Sequence, residues 1–366
     1  MSAVLAVQKA GATAVKRSLV DSLRCPATGE PLHLVDAASE DGTEIHSGRL
    51  RTNAGREYRI VDGVPIMLVP ETWALGQAET RESFSEKWRL APNYREATRA
   101  HYVQWYLDRY GFETLEGLRS FLSCKHRILD AGTGHGRDVE LFAQHSRATV
   151  FGIDISEGIY NAYRDLGHLN QLHLVQADLG KLPFDEQFFD FISCDQVIHH
   201  TPDTRQSLSR LVRHLAPGGH IGVYVYKKKG PIREFSDDYI RQFTVGMPVD
   251  ECLRICDAIT KFGKSLADLN VTIDVPEDIS VLGIEAGKYD LQRFIYWHVF
   301  KCYWNETMDW DSNVITNFDW YHPLHAHRHT PEEVRAWCDE AGLDVVHFNV
   351  VESGISVLAQ KRIERE

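Results

Sequence analysis

The 366-residue chain is long enough for one large domain and a smaller one, and its 43% hydrophobic and 25% charged residues are an ordinary globular mix. A net charge of −12 argues against a grip on a nucleic-acid backbone, which basic proteins provide, so no nucleic-acid partner is expected. No apolar run approaches the roughly 20 residues that span a bilayer, so no membrane partner is expected, and seven scattered cysteines with no CxxC pair suit a reducing cytoplasm.

The opening residues MSAVLAVQKAGATAVKRSLV lack a long apolar core and a convincing cleavage site. Residues 1–22 are expected to form a loose tail or a short amphipathic helix. Residues 23–70 are short β-rich runs between Gly, Pro and Asp-Gly turn signals, and YRIVDGVPIML reads as strand, tight turn, strand. With its CPATGEPL and YRIVDGVPIML segments, this stretch resembles the small Trm112-like or zinc-ribbon-like module. The resemblance implies four zinc ligands, but Cys25 is the only cysteine before Cys124. One thiolate makes no structural zinc site, so a β-rich unit held by packing, without metal, is expected.

Residues 71–126 read as a helical connector or lid. Its aromatics, Phe84, Trp88, Tyr94, Tyr102, Trp105, Tyr106 and Tyr110, either cover the mouth of a binding site or pack two domains together. Residues 127–227 alternate strand and helix, with strands near 127–131, 149–153, 172–176, 189–194 and 220–226 and helices near 136–145, 157–167 and 204–215. That alternation predicts an α/β fold, a doubly wound and mostly parallel sheet. Residues 228–329 interrupt it with helical stretches near 236–245, 249–269 and 288–304. Cys252 and Cys256, four apart on one of these, read as packing. The core pattern resumes over 330–366: Thr330 as N-cap, Pro331 at N1 and Glu333 at N3 start a helix, and DVVHFNVVE and GISVLAQKR form an antiparallel hairpin.

The segment RILDAGTGHGRD at 127–138 carries the chemistry. A dinucleotide fingerprint reads G-x-G-x-x-G, whereas Gly132, Gly134 and Gly136 alternate and Arg137 follows. Asp130, two residues before the first glycine, would repel a pyrophosphate but suits a ligand with a cationic end. Asp154 closes the next strand, where a carboxylate accepts both hydroxyls of a ribose. Asp178 closes the third, placed for an adenine amino group, with Leu179 beside the ring.

Together ILDAGTGHG, VFGIDIS, QADLGKLPF, FFDFISCDQVIHH, LAPGGHIGV and the final hairpin resemble the class I S-adenosylmethionine (SAM)-dependent methyltransferases, over about 128–226 and again over 330–361. The resemblance implies a Rossmann-like, seven-stranded sheet and SAM as cofactor. It implies that Ala131, Gly132, Thr133 and Gly134 bring backbone against the methionine moiety and that Asp130 orders that end. It implies Asp154 and Ile155 at the ribose, Asp178 and Leu179 at adenine, and Asp195 and Gln196 beside the methyl group.

A methyltransferase mainly positions its acceptor, and some acceptors need a base. His199 and His200, just beyond the fourth strand, are candidate bases, with no choice between them. Tyr224 and Tyr226 end the fifth strand near the same edge. Lys227 to Lys229 either attract an anionic acceptor or are solvated. The segment FDWYHPLHAHRHTP matches no standard metal spacing, so no metal is expected, and Trp320, Tyr321 and His322 are candidate substrate contacts. The 228–329 insertion reads as a cap over a small, anionic or aromatic acceptor, with a homodimer as a further possibility. Competing readings are a fused Trm112-type tRNA, rRNA or protein methyltransferase, and a SAM-binding regulator or cyclase without methyl transfer.

Overall fold

In the computed structural model, which describes residues 15–38, 44–91 and 94–363, the chain's most apolar runs lie side by side in one sheet. Its strands are β1 (Arg127–Ala131), β2 (Thr149–Asp154), β3 (Leu172–Gln176), β4 (Phe189–Cys194), β5 (Leu215–Lys227), β6 (Leu343–Val350) and β7 (Gly354–Lys361). The spatial order is β3-β2-β1-β4-β5-β7-β6. The first five run parallel, and β7 enters antiparallel between β5 and β6. Every residue of β3, LHLVQ, is buried, as expected of a parallel strand covered on both faces. The two-residue strand Arg328–His329 pairs with the end of β5, so the sheet has eight strands rather than seven.

Between the N-terminal unit and the sheet lie three α-helices: α1 (Gln77–Leu90), α2 (Tyr94–Tyr110) and α3 (Leu115–Leu122). Within it come α4 (Arg137–His145), α5 (Gly158–Leu166) and α6 (Thr204–Arg213). The insertion holds α7 (Pro231–Thr244), α8 (Val249–Asp268), α9 (Leu291–His298) and α10 (Trp310–Tyr321), and α11 (Pro331–Glu340) returns the chain to the hairpin. The expected capping box is present at α11, with Thr330 accepting from the Glu333 N–H.

The N-terminal unit is a four-stranded antiparallel sheet of His33–Ala38, Ser47–Arg51, Glu57–Val61 and Val64–Pro65. It does not stand apart. Leu23, Cys25, Leu50, Tyr58 and Met67 share one apolar cluster with Leu129, Phe151 and Val175 of the main sheet. Ile66 bridges Gln176 in parallel, and the Met67 N–H donates to the Gln176 carbonyl at 2.7 Å. The unit thereby covers the end of edge strand β3, which would otherwise offer unpaired backbone groups. Of the expected tail, residues 1–14 lie outside the described residues, while Arg17–Ser22 form a helical turn that buries Leu19 and Val20.

In the insertion the expected 288–304 helix is shorter. Gly287–Asp290 is a strand paired with Thr272–Val275, and Asp290 caps α9 by accepting from the Arg293 N–H. Helix α10 is not legible from periodicity, because its buried face carries Asn313 and Asn317. Their side-chain oxygens accept from the backbone N–H groups of Asn305 and Tyr303, pinning the connecting loop.

Candidate active site

The carboxyl ends of β1, β2, β4 and β5 converge where the strand order reverses between β1 and β4, the usual ligand crevice of an open α/β sheet. Three cavities meet there. The first, about 650 Å³, is lined by Asp154, Ile155, Asp178 and Leu179 below and by Phe84 and Trp88 of α1 above. The second, about 540 Å³, lies over Gly132 and Thr133 and is lined by Arg137, Asp138 and Asp195. The third, about 1120 Å³, lies between the core and the insertion, against Tyr224, Tyr226 and Trp320. Gln196 lines all three. It holds φ +62°, a left-handed conformation uncommon outside glycine and of a kind that concentrates at functional sites.

The glycine loop is shaped for close approach. Gly132 has φ +94°, and a Cβ there would lie 2.4 Å from Val197 Cγ2. At Gly134, φ +54°, a Cβ would meet the Trp88 ring at 2.7 Å. Asp154 fixes the loop from beneath: one carboxylate oxygen accepts from the Gly134 N–H at 2.7 Å, the other from the Ser156 N–H and hydroxyl at 2.7 and 2.5 Å. Burial raises its pKa, and these bonds partly offset the rise. Asp130 is buried with one oxygen lacking a hydrogen-bond partner among the described residues. Burial, reinforced by the Asp138 carboxylate, pushes its pKa well up. Asp178 accepts from the Gly180 N–H at 2.8 Å and from Gln77 of α1 at 2.5 Å.

Asp195 is the most heavily held acid. It pairs with Arg109 at 2.9 Å and Arg137 at 3.4 Å and accepts from the Tyr110 hydroxyl at 2.9 Å and the Gln196 amide at 3.0 Å. The Arg109 guanidinium in turn lies 3.7 Å from the Trp105 ring centre. Neither arginine is among the expected site residues. Arg137 had a signal, since a cation in the first turn of a helix opposes the helix dipole and requires a local reason. Arg109 had none, being one of several arginines in a helical stretch.

Helix α1 does cover the crevice. Lys87 reaches Asp319 of α10 at 3.0 Å and lies 4.3 Å from the Trp88 ring centre. The pair stands between the second and third cavities and lines both. Burial alone would raise the Asp319 pKa, but Lys87, His200 and Lys301 together hold it below the usual carboxylate value.

Several expected contacts are placed elsewhere. His199 is 0% exposed, lies 3.8 Å ring to ring from Tyr226 and lines none of the three cavities. His200 lines the first cavity, and its Nδ1 engages the His325 carbonyl at 2.7 Å. Burial brings its pKa down to about 4. Neither imidazole lines the third cavity: His200 stands on the first, and His199 is enclosed against Tyr226. Tyr321 is buried behind the wall, where its hydroxyl donates to Asp237 and to the Lys301 carbonyl. His322 bonds Ser83 at 2.8 Å and the Met247 carbonyl at 3.1 Å. Both tie elements together instead of facing a ligand. Trp320, Tyr224 and Tyr226 do line the third cavity.

The site fits the cofactor that the sequence implied. A nucleoside suits the first cavity, whose lining includes Asp154, Asp178 and Leu179. Over Gly132 the wall admits no side chain, and the second cavity offers Arg137 to a carboxylate and Asp195 to a cation. Fold and site together define a SAM-dependent α/β domain. Residues 129–223 match the family model described as a methyltransferase domain, and the chain carries a class I SAM-dependent methyltransferase domain with SAM as its cofactor.

Among curated proteins, the chain is 32% identical over 102 residues to the ubiquinone biosynthesis O-methyltransferase of Coxiella burnetii, covering 27% of this chain and 43% of that protein. It is 32% identical over 124 residues to the ubiquinone/menaquinone biosynthesis C-methyltransferase UbiE of Vibrio cholerae, covering 31% and 46%. The chain thus spans less than half the length of these relatives. Among solved structures, a SAM-dependent methyltransferase from Aquifex aeolicus aligns with TM-score 0.37 and 14% identity over 69% of this chain and 91% of that one. One from Mesorhizobium loti aligns with TM-score 0.39 and 16% identity over 68% and 100%.

Proposed function

We propose that the protein transfers a methyl group from SAM to a small molecule enclosed in the third cavity. The single observation behind this reading is Gln196, whose side chain borders both cofactor-side cavities and the cavity beneath the insertion. SAM supplies an electrophilic methyl on a sulfonium, so the protein's part is positioning and exclusion of water. Asp195, anchored by Arg109 and Arg137, and Gln196 hold the methyl end. Trp88 and Phe84 close the nucleoside end. The insertion walls the acceptor, and the Lys87–Asp319 pair latches α1 to it.

The walled cavity favours a small acceptor over a tRNA, an rRNA or a protein. The quinone-biosynthesis names of the curated relatives accord with an acceptor that carries a ring. We read the N-terminal unit as Trm112-like in its strand–turn–strand pattern, here serving its own sheet by covering the β3 edge. The test is incubation of the full chain with SAM and a panel of small ring-bearing acids, phenols and amines, with S-adenosylhomocysteine release as the readout. Release with at least one acceptor, absent in Asp154→Ala, is expected. SAM binding without turnover across the panel would favour a regulator or cyclase.

A further inference from the structure

The third cavity has a charge balance opposite to that of the whole protein. Lys87, Lys229, Arg233, Arg293 and Lys301 line it, and Asp319 is the one carboxylate among its described lining residues. Two of these cations are answered: Lys87 by Asp319, and Arg233 by Asp237 behind the wall. The Lys229 ammonium donates to the carbonyls of Lys227 at 2.7 Å and Ser353 at 3.2 Å, which carry no counter-charge. Arg293 and Lys301 make no ion pair among the described residues, and Lys301 Nζ lies 5.0 Å from the Trp320 ring centre. Three cations thus line an aromatic cavity without an ion pair of their own, Lys301 lying near Asp319 and Asp237 and Lys229 near Glu234 and Asp237, in a chain of net charge −12.

Such clustering is unfavourable in the free protein. Burial brings the Lys301 pKa down to about 7 and that of Lys229 well below its ordinary value, with Arg233 adding repulsion to both. An ion-pair network built for stability would contain its own carboxylates. A cavity lined by five cations and one carboxylate, and not a surface patch, fits a site that receives further negative charge from a ligand.

We propose that the third cavity binds a molecule joining a flat ring system to an acidic group, carboxylate or phosphate. The acid sits among Lys229, Arg293 and Lys301, and the ring lies among Tyr224, Tyr226 and Trp320. That this molecule is the methyl acceptor rests on the proposed function; its binding does not. The ring assignment follows from the aromatic wall, where Tyr226 lies 4.9 Å from Trp320 and offers faces and edges to a planar partner. The cations on the insertion would orient the acid away from Gln196 and turn the far side of the ring towards the methyl end.

Calorimetry on the full chain tests this with three probes: 1-naphthoate, 1-naphthyl phosphate and neutral 1-naphthamide, each with and without S-adenosylhomocysteine. At least one anion should bind about tenfold or more tightly than the amide, the worth of one charge-assisted hydrogen bond. The tighter of the two anions identifies the acid. Arg293→Gln should weaken the anion about tenfold, leave the amide within about twofold, and be largely rescued in Arg293→Lys. Arg293 is half-buried and makes no ion pair, so this variant does not threaten the fold, and Lys301→Met gives a second, independent reading. Amide binding equal to that of both anions, no binding of either anion, or anion binding unchanged in both variants would overturn the proposal. Failure of the protein to bind S-adenosylhomocysteine would count against methyl transfer alone, because the probes are also measured without it.

Discussion

Lys87 of α1 and Asp319 of α10 form a 3.0 Å ion pair at the boundary between the cofactor side of the crevice and the cavity beneath the insertion. Both side chains are largely removed from solvent, so neither is replaceable without leaving its partner's charge exposed to a poorly solvating wall. Lys87→Met should therefore weaken acceptor binding by about 2 kcal/mol, the range of a hydrogen bond to a charged group, while shifting SAM affinity less. Steady-state kinetics with the acceptor from the panel, set beside SAM calorimetry, separates the two. A larger loss in SAM affinity than in acceptor KM would show that the pair serves the cofactor side.

Asp154→Ala removes the carboxylate expected at the ribose and also the acceptor of the Gly134 N–H. SAM affinity should fall by about 2–3 kcal/mol for the lost bonds to a charged acceptor. Calorimetry on a variant with a native circular dichroism spectrum checks it. Unchanged affinity would remove Asp154 from the cofactor site.

Gly132→Ala faces two separate penalties. One is the left-handed backbone, about 1–2 kcal/mol. The other is the collision of the new Cβ with Val197. In a Val197→Ala background the second should shrink to a tight 3.0 Å contact with the remaining Cβ and the first remain, so the double variant should recover part of the lost SAM affinity. Full recovery would show that backbone strain contributes nothing; no recovery would show that the contact with Val197 is relaxed at no cost.

Arg109 is 1% exposed and Asp195 is 6% exposed. Arg109→Leu strands the Asp195 carboxylate with only the more distant Arg137 as counter-charge. The expected loss of stability is about 3–5 kcal/mol, as for other buried pairs broken from one side. Urea unfolding measures it, and a loss below about 1 kcal/mol would mean that Arg137 suffices.

The pH dependence of anion binding has a definite sign. Lys301 faces Asp237 and Arg233 of α7, Asp319 of α10 and Lys87 of α1, and burial sets its pKa near 7 in the free protein. Below that pH the ammonium is already present and binding needs no proton. Above it the amine is largely neutral, and an anion that favours the charged form must draw a proton in. Affinity for 1-naphthoate should thus fall as pH rises from about 7 to 9, with proton uptake seen as a buffer-dependent enthalpy. Lys301→Met should flatten both.

The sequence by itself determined the sheet and the cofactor side of the site. The parallel strands are buried on both faces and so are written as short, mainly apolar runs, and the loop after β1 must be glycine where backbone meets Val197 and Trp88. Asp154 at the end of β2 and Asp178 just beyond β3 were legible as acids at the carboxyl edge of the sheet, and both line the first cavity. The charged apparatus was decided only by tertiary structure. Arg109, Lys87, Arg293 and Lys301 come from three separate helical stretches and a loop, each an ordinary polar position in its own segment. The packing of α1, α2 and the insertion over the crevice turns them inward. The same packing enclosed His199 against Tyr226 and spent the polar atoms of Tyr321 and His322 on holding elements together. Local sequence shows which side chains carry chemistry, but which of them face a shared cavity depends on how distant segments bury their apolar faces against one another.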